Sequence, residues 1–362
     1  MIQASAPGRC GLVGNPTDMY GGSVLSLSTR ERAHCTLTEA SEMTISVSGQ
    51  SQTLHSVDDL ALRPGDYLNV ARAALSALEV DPAASAPFHL SATTDIPMQA
   101  GLAGSTAILA CLTGCLLAHL GLRLNPYEAA ELVRKIEYDV LGIVCGFQDH
   151  YMTVFGGLNF MDFSGRSSAE VMEADTPFAT VEPLALYVSN LPFVLAHTGV
   201  RHHSGSVHTS PRDRWLAGDR AVVDGYAEIA GLARTAKRAL LAGDCAMLTF
   251  LMDRNHAIVR DLGGSGDANE ALIAAALSGG AMSAKLAGAG GGGTIVALTL
   301  EPDRTSAALN SAGAEAILLP TPMPGLTVER THPGTSADPP ETGGYIGLGC
   351  RVLLKLLTFP SR

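Results

Sequence analysis

The chain has 362 residues, of which 46% are hydrophobic, and a formal net charge of −11 at pH 7. This length and apolar content predict a globular protein with two domains. Because the acidic chain has no run or stripe of Lys and Arg, we expect it to bind neither nucleic acid nor an anionic membrane. Seven scattered cysteines without metal-ligand spacing predict reduced thiols, and the absence of a signal-peptide pattern predicts a cytoplasmic protein.

The first third of the chain is predicted to be rich in strands. Apolar and β-branched runs indicate strands at 7–14, 24–28, 34–38, 43–48 and 87–95, and an amphipathic pattern indicates a helix at about 66–79. An apolar stretch then predicts a buried helix at 105–121. A second helix is predicted to begin at Pro126, with Asn125 as its cap, and to continue to about Val140.

The rest of the chain alternates between the two kinds of element. Strand-like residues recur at 156–162 and 185–199, helical patterns fill 213–280 with glycine breaks at 243 and 263–266, and strand-like residues return at 283–300. This order predicts an α+β fold with a cleft between two lobes. We place the domains at 1–200 and 201–330, and interpret 331–362 as a flexible tail.

The segment PMQAGLAGST at 97–106 is the most informative motif. A glycine-rich turn leads there into the buried helix, and the first turn of a helix leaves N–H donors free and carries partial positive charge. Phosphate is the natural ligand for such a turn. Gly104 stands where a P-loop requires Lys, so the segment is not a Walker A motif. The alternative is a plain turn in which Ser105 and Thr106 serve only as a helix cap.

A second glycine cluster, KLAGAGGGGTIVAL, matches a dinucleotide-binding pattern through Gly288, Gly290 and Gly293. That fold needs a helix after the glycines, whereas TIVALTL is β-branched and typical of a strand. We therefore reject a nicotinamide or flavin role. Close approach of backbone to backbone or to a ligand explains the glycines, and a hairpin turn without function is the alternative.

Several polar residues are candidates for chemistry. The glycine-framed loop GNPTDMYGG carries Asn15, Asp18 and Tyr20, which suit a polyhydroxylated ligand, although the same letters also form ordinary turns. Glu137 and Asp149 lie on separate predicted elements and can converge. Phosphoryl transfer from ATP needs oxygen ligands for Mg²⁺ and a carboxylate that orients the attacking hydroxyl.

Three segments taken together resemble a known family. APGRCGLVGNPTD, PMQAGLAGSTA and KLAGAGGGGTIVAL look like the three ordered motifs of the GHMP small-molecule kinases, over roughly residues 5 to 325. Within that family, four segments look most similar to the glucuronokinases, which phosphorylate the anomeric hydroxyl of glucuronate: GNPTDMYGG, IPMQAGLAGSTA, LGIVCGFQDHYMTVFGGLNFMDFSG and SGSVHTSPRDRWLAGD. The resemblance implies an N-terminal domain like ribosomal protein S5 and a ferredoxin-like C-terminal domain, with MgATP and a sugar substrate in the cleft.

The resemblance also implies roles for individual residues. Asp149 matches the catalytic carboxylate and Arg9 the basic residue that lowers the pKa of the nucleophile or stabilises charge, while Ser105 and Glu137 match the Mg²⁺ ligands. The expected ATP-binding residues are those of the glycine turn: Pro97, Gly101, Leu102, Ala103, Gly104, Ser105 and Thr106. The expected substrate-binding residues are Asn15, Asp18, Tyr20, Asp149, Gly290 and Gly291.

Two departures from the family pattern bear on the substrate. Asn15-Pro16 replaces the Glu-His of galactokinases, which argues against galactose, and Thr106 stands where a second Ser is usual. A carboxylate of the substrate has candidate partners in RHHSGSVHTSPRDRW, namely His202, His203, Ser204, His208, Arg212 and Arg214, unless this segment is a polar interdomain loop.

Several alternatives remain beside a uronic acid kinase that acts as a monomer or homodimer. The chain could be another kinase of this family, of the heptose-phosphate, galactose or mevalonate type. It could also be a non-catalytic sugar sensor, although such a sensor would be expected to lack a metal ligand or the base, and all four of Arg9, Ser105, Glu137 and Asp149 are present.

Overall fold

The computed structural model describes residues 1–167, 176–188, 191–200, 209–288 and 293–331. The strands are β1 Ile2–Val13, β2 Ser23–Glu39, β3 Thr44–Val47, β4 Gln50–Thr53, β5 Phe88–Thr94, β6 Leu158–Asp162, β7 Thr180–Pro183, β8 Phe193–His197, β9 Ser283–Leu286, β10 Thr294–Leu298, β11 Ala316–Leu318 and β12 Thr327–Arg330.

The helices fall mostly where the sequence predicts them. The α-helices are α1 Asn69–Ala77, α2 Gly104–His119, α3 Pro126–Lys135, α4 Gln148–Phe155, α5 Thr209–Leu216, α6 Arg220–Ala242, α7 Cys245–Asp261, α8 Asp267–Ser278 and α9 Pro302–Ser311. Asn125 caps α3 as predicted, because its side chain accepts hydrogen bonds from the backbone N–H groups of Tyr127 and Glu128. A π-helical turn, Ile136–Val140, follows α3.

The first sheet has the strand order β12-β1-β2-β5-β3-β4, with β6 and β7 continuing from the other end of β2. All pairs are antiparallel except β3 with β5. The register of β1 against β2 shifts between Pro7 and Arg9 and again between Gly11 and Val13. Such irregularities re-aim side chains, and these two flank the strand residues that enter the candidate site.

Helix α2 covers this sheet and is apolar on every side. Its residues from Thr106 to Leu117 are all buried, and it packs against β1 and β2. Gly114 permits close contact with β12, since an added Cβ would lie 3.0 Å from a methyl group of Val328. The buried helix predicted after the glycine turn is therefore present, one residue longer at its start.

The second sheet is antiparallel, with the order β11-β8-β10-β9. Helices α8 and α9 cover one face, where Val194 and Ile295 are buried. Residues of alternate parity, such as Leu195 and Val296, join the large core that also contains β1, β2 and α2. Helices α6 and α7 contribute to that same core, so the two sheets share one continuous apolar interior, which supports the predicted α+β architecture.

Two strands pair across the domain limit that we place at residue 200. Strand β8 starts at Phe193 and belongs to the second sheet, so the change from first to second sheet precedes residue 200. Strand β12, placed in the second domain by the sequence, pairs with β1 of the first sheet. Backbone pairing to a distant strand leaves no local signal in a short polar segment, so the sequence alone does not indicate it. Residues 332–362 of the predicted tail lie outside the described residues.

The cysteine prediction is confirmed for the part of the chain that the structure describes. Cys10, Cys35, Cys111, Cys115, Cys145 and Cys245 are free thiols there, and the first four are buried. Among the described helices, none combines the length and the apolar character needed to cross a membrane.

Candidate active site

The glycine turn before α2 has an unusual backbone. Gln99, Gly101 and Ala103 all have left-handed φ angles, of 55°, 71° and 61°. Ala103 is the N-terminal cap residue of α2, and among the described residues no side chain accepts a hydrogen bond from the first turn there. Ser105 and Thr106 thus do not cap the helix, contrary to the plain-turn alternative. The first-turn N–H groups are available to an anionic ligand.

Side chains of the turn divide into two groups. Leu102 and Ala103 are buried, so these two residues offer a ligand chiefly their backbone, and Ser105 is exposed. Thr106 is 3% exposed, and its hydroxyl donates to Glu137 Oε2 at 2.8 Å. The threonine that replaces the usual serine therefore faces a carboxylate of the π-helical turn.

The third motif packs directly against this turn. An added Cβ at Gly288 would lie 2.5 Å from the carbonyl oxygen of Gly101, so only glycine fits without movement. Thr294 Oγ1 donates to the carbonyl of Ala100 at 2.9 Å. The second glycine cluster thus supports the first one through close backbone contact. Gly290 and Gly291, predicted to contact substrate, lie outside the described residues.

Arg9 and Asp149 form an ion pair beside the turn. Arg9 Nε and Nη2 lie 2.7 and 2.6 Å from the same oxygen of Asp149, Oδ1. Arg9 Nη1 donates to the carbonyl of Gly101 at 2.7 Å. The Arg9 side chain is 8% exposed and that of Asp149 is 32% exposed. A buried guanidinium therefore fixes the carboxylate and the glycine turn in one geometry, while the Asp149 side chain stays partly exposed.

Asp18 lies under the helix that carries Asp149. Its Oδ2 accepts hydrogen bonds from the backbone N–H groups of Phe147 and Gln148, at 2.8 and 2.9 Å, at the start of α4. An added Cβ at Gly146 would lie 1.9 Å from this oxygen, so the glycine makes room for the carboxylate. Burial raises the pKa of Asp18, and the charge of Asp149 raises it further, against the two backbone donors.

Asn15 is held by the protein itself. Its Nδ2 donates to the carbonyl of Gly288 at 3.2 Å, and its Oδ1 accepts from Lys285 Nζ at 2.8 Å. The residue is 4% exposed. The structure thus gives the Asn15 amide a role in joining the first and third motifs, a use that the sequence did not suggest.

Lys285 is a residue that sequence reasoning missed. It lies on β9, is 1% exposed, and donates to the carbonyl oxygens of Gly11 and Leu286 as well as to Asn15. Burial lowers its pKa to about 7, and the positive charge of Arg9 also lowers it. A lysine inside a strand-like run three residues before a glycine cluster gave no functional signal.

Glu137, a predicted Mg²⁺ ligand, contacts His150, a residue that the sequence did not indicate as part of the site. Glu137 Oε2 accepts from Thr106 and lies 2.9 Å from His150 Nε2, and both residues are buried. His150 directly follows Asp149, and this adjacency was the available signal. The pair fixes the Glu137 carboxylate next to the first turn of α2.

Magnesium, which the resemblance implies, suits these groups. Mg²⁺ prefers oxygen ligands and is commonly held by one or two carboxylates together with phosphates and water. Glu137 offers a carboxylate, and the exposed Ser105 offers a hydroxyl. Ser105 directly precedes Thr106, whose side chain contacts Glu137. Within the described ranges, no group of three or more His, Cys, Asp and Glu side chains is arranged to hold a metal ion. A Mg²⁺ ion at this turn would therefore take its remaining ligands from phosphates and water.

Tyr20 follows the end of the first motif by two residues and packs against aromatic rings. Its ring centroid lies 4.9 Å from those of both Trp215 and Tyr226. Arg212 and Arg214, on the same helix as Trp215, are the described members of the cluster considered for a substrate carboxylate; His202, His203, Ser204 and His208 lie outside the described residues.

The fold and these motifs define a class of protein. Two family models match the chain, the N-terminal domain of GHMP kinases at residues 68–157 and their C-terminal domain at 236–316. Glucuronokinase 1 of Arabidopsis thaliana is 31% identical over 305 residues, which cover 78% of this chain and 81% of that protein. The chain belongs to the GHMP kinases. It is a phosphotransferase with an alcohol group as acceptor, and the resemblance seen in the sequence is confirmed.

Other relatives share the architecture. The D-glycero-alpha-D-manno-heptose 7-phosphate kinase of Campylobacter jejuni is 28% identical over 305 residues, covering 81% of this chain and 87% of that protein. Among solved structures, the galactokinase of Lactococcus lactis in complex with galactose has a TM-score of 0.71 at 20% identity, covering 90% of this chain and 95% of that one. The predicted two-domain GHMP fold is thus confirmed.

Proposed function

We propose that this kinase transfers the γ-phosphate of MgATP to the anomeric hydroxyl of a uronic acid, giving glucuronate 1-phosphate and ADP from glucuronate. The observation that carries the proposal is the Arg9–Asp149 pair, which lies between the glycine turn and the start of α4. The likeness to Glucuronokinase 1 supports the choice of a uronic acid.

In the proposed reaction, Asp149 accepts the proton of the sugar hydroxyl at C1. The sugar oxygen forms a bond to the γ-phosphorus as the bond from that phosphorus to the β,γ-bridging oxygen breaks, and ADP leaves. A positioned carboxylate contributes roughly 10²- to 10⁴-fold to such a step. Arg9 holds Asp149 through Oδ1, which orients the carboxylate for the proton transfer.

The glycine turn and α2 bind the phosphates in this proposal. N–H groups of the uncapped first turn face the negative charge, and their fixed orientation avoids reorganisation during transfer. Ser105 and Glu137 would hold Mg²⁺, which neutralises charge on the phosphates when it is bound. Thr106 and His150 keep the Glu137 carboxylate in place through Oε2.

A coupled assay of ADP release tests the proposal. Purified protein with MgATP is offered glucuronate, galacturonate, glucose, galactose, a heptose 7-phosphate and mevalonate, and Asp149→Asn serves as the blank. We expect turnover of a uronic acid well above the other compounds. Turnover of the heptose phosphate alone would show that the substrate is not a uronic acid but the compound for which the Campylobacter relative is named. ATP binding without turnover of any compound would favour the sugar-sensor alternative.

A further inference from the structure

Two polar atoms near the end of the first motif are buried without a hydrogen-bond partner among the described residues. They are the hydroxyl of Tyr20 and Nε of Arg212. A buried donor that lacks a partner is costly, and natural proteins leave few of them. Two such donors near one another leave room for an acceptor that the described residues do not supply.

The two atoms face the same region. Arg212 precedes Trp215 by three residues on α5, and residues three apart share one side of a helix. Trp215 contacts the Tyr20 ring, so that side of α5 is turned toward Tyr20. Burial raises the pKa of Tyr20, and Tyr226, Asp18 and Asp213 raise it further, whereas the positive charge of the neighbouring Arg212 lowers it.

Arg212 differs from its neighbour Arg214. Arg214 Nε donates to Asp219 Oδ2 at 2.8 Å, and Arg214 Nη1 donates to the carbonyl of Leu262 at 3.3 Å. Arg212 has a long contact of 3.9 Å between Nη1 and Asp213, and its side chain is only 23% exposed. This long contact with an exposed neighbouring carboxylate leaves a largely buried guanidinium able to bind an anionic ligand. The structure thus separates two arginines that the sequence treats as equivalent.

The position of Tyr20 relative to Asp149 fits a uronic acid as substrate. Tyr20 follows Asp18 by two residues in the short 3₁₀ turn Thr17–Tyr20, and Asp18 binds the start of the helix that carries Asp149. Asp149 and Tyr20 therefore lie on adjoining elements. In a uronic acid, the reacting hydroxyl is on C1 and the carboxylate is carried by C5, on the other side of the ring oxygen.

We propose that Arg212 and the Tyr20 hydroxyl bind the carboxylate of the uronic acid, and that Trp215 and Tyr226 hold the Tyr20 ring for this contact. This inference rests on the proposed function and names the residues that distinguish a uronic acid from a neutral sugar. Planar guanidinium groups match carboxylates in geometry, and such charge-assisted hydrogen bonds are stronger than neutral ones.

The test compares glucuronate with glucuronamide, which replaces the charged group by a neutral one of similar shape. We expect Arg212→Gln to raise the KM for glucuronate at least about tenfold while kcat changes less than about threefold, because a binding contact is lost. The preference for glucuronate over glucuronamide should disappear in this variant. Arg212→Lys should keep part of it, and Tyr20→Phe should weaken it by about three- to tenfold.

Matched controls separate binding from folding. Arg220→Gln makes the same charge change at a side chain that is 88% exposed, and it should leave both KM values unchanged. The KM for ATP and the thermal unfolding midpoint should stay at parent values in Arg212→Gln. Turnover of glucuronate with an unaltered KM in Arg212→Gln would overturn this inference alone. If the parent protein turns over no uronic acid, the proposed function fails and the inference fails with it.

Discussion

The two ends of the site differ in how completely their polar groups are paired. At the phosphate end, Arg9 is bound to Asp149 and to the carbonyl of Gly101. At the other end, the Tyr20 hydroxyl and Arg212 Nε have no hydrogen-bond partner among the described residues. The paired end is arranged before any substrate arrives, as electrostatic catalysis requires. The unpaired end gains its partners from a ligand, which is how a site rejects a compound that lacks the matching group.

The largest expected effect is at the paired end. Asp149→Asn keeps the shape of the side chain but removes the proton acceptor, so kcat should fall by at least about a hundredfold. The KM for ATP should change little, since the glycine turn keeps its contacts. Steady-state ADP release measures both. Asp224→Asn, at a side chain that is 65% exposed, serves as control, and a rate for Asp149→Asn near that of this control would contradict the role of Asp149.

A second variant separates the support of the glycine turn from the chemistry. Gly288→Ala places a Cβ 2.5 Å from the Gly101 carbonyl and must displace the turn. We expect a KM for ATP about tenfold higher, because small displacements of positioned groups are costly. Gly231→Ala, on α6 with no atom within 4 Å of the added Cβ, should leave the KM unaltered. Equal kinetics for the two variants would show that the motif contact is dispensable.

The contact between Thr106 and Glu137 can be tested through magnesium. Thr106→Val removes the hydroxyl that donates to Glu137 Oε2 and keeps the shape of the side chain. If Glu137 binds Mg²⁺, the Mg²⁺ concentration for half-maximal activity should rise about tenfold, as for other residues that orient a metal ligand. Thr113→Val changes a buried hydroxyl of the same helix that has no hydrogen-bond partner among the described residues. An identical Mg²⁺ titration for both variants would argue against this role.

The smallest expected effect concerns stability. Burial lowers the pKa of Lys285 to about 7, below the usual value near 10.4 in an unfolded chain. Between these values the unfolded state binds more protons, so the free energy of unfolding should rise with pH, by up to about 1.4 kcal/mol per pH unit. Lys285→Met should show a weaker rise. Urea unfolding of both proteins at pH 7.0 and 8.5 measures the difference, and parallel slopes would contradict the lowered pKa.

Much of the paired end could be predicted from the sequence because backbone motifs form it. The glycine turn, helix α2 and the Asn125 cap depend on local residues, and a helix predicted at 105–121 is found at Gly104–His119. Ordered motifs also placed Arg9 and Asp149 as candidates for one site. The structure brings these two side chains into contact.

The rest depends on contacts between distant parts of the chain. The choice between Arg212 and Arg214 follows from the position of Asp219 and from the approach of Tyr20 to Trp215, which a sequence does not show. The hydrogen bond from Lys285 to Asn15 likewise joins residues that are 270 positions apart.

The end of the chain shows the same limit. A truncation at Glu329 would cut β12, where Ala4 pairs with Val328 and Ile2 with Arg330. A truncation after Thr331 retains β12. We expect it to retain parent activity, whereas removal of β12 should lower stability through loss of the pairing with β1.

The position of the new phosphate tests the central claim most directly. Protein, MgATP and glucuronate are incubated, and the product is examined by two-dimensional ³¹P–¹H NMR, with Asp149→Asn run in parallel. We predict a sugar phosphorus signal coupled to the anomeric proton, formed by the parent protein and absent on the same time scale from the variant. A product phosphorylated at another hydroxyl, or the same product at the same rate from both proteins, would contradict the account.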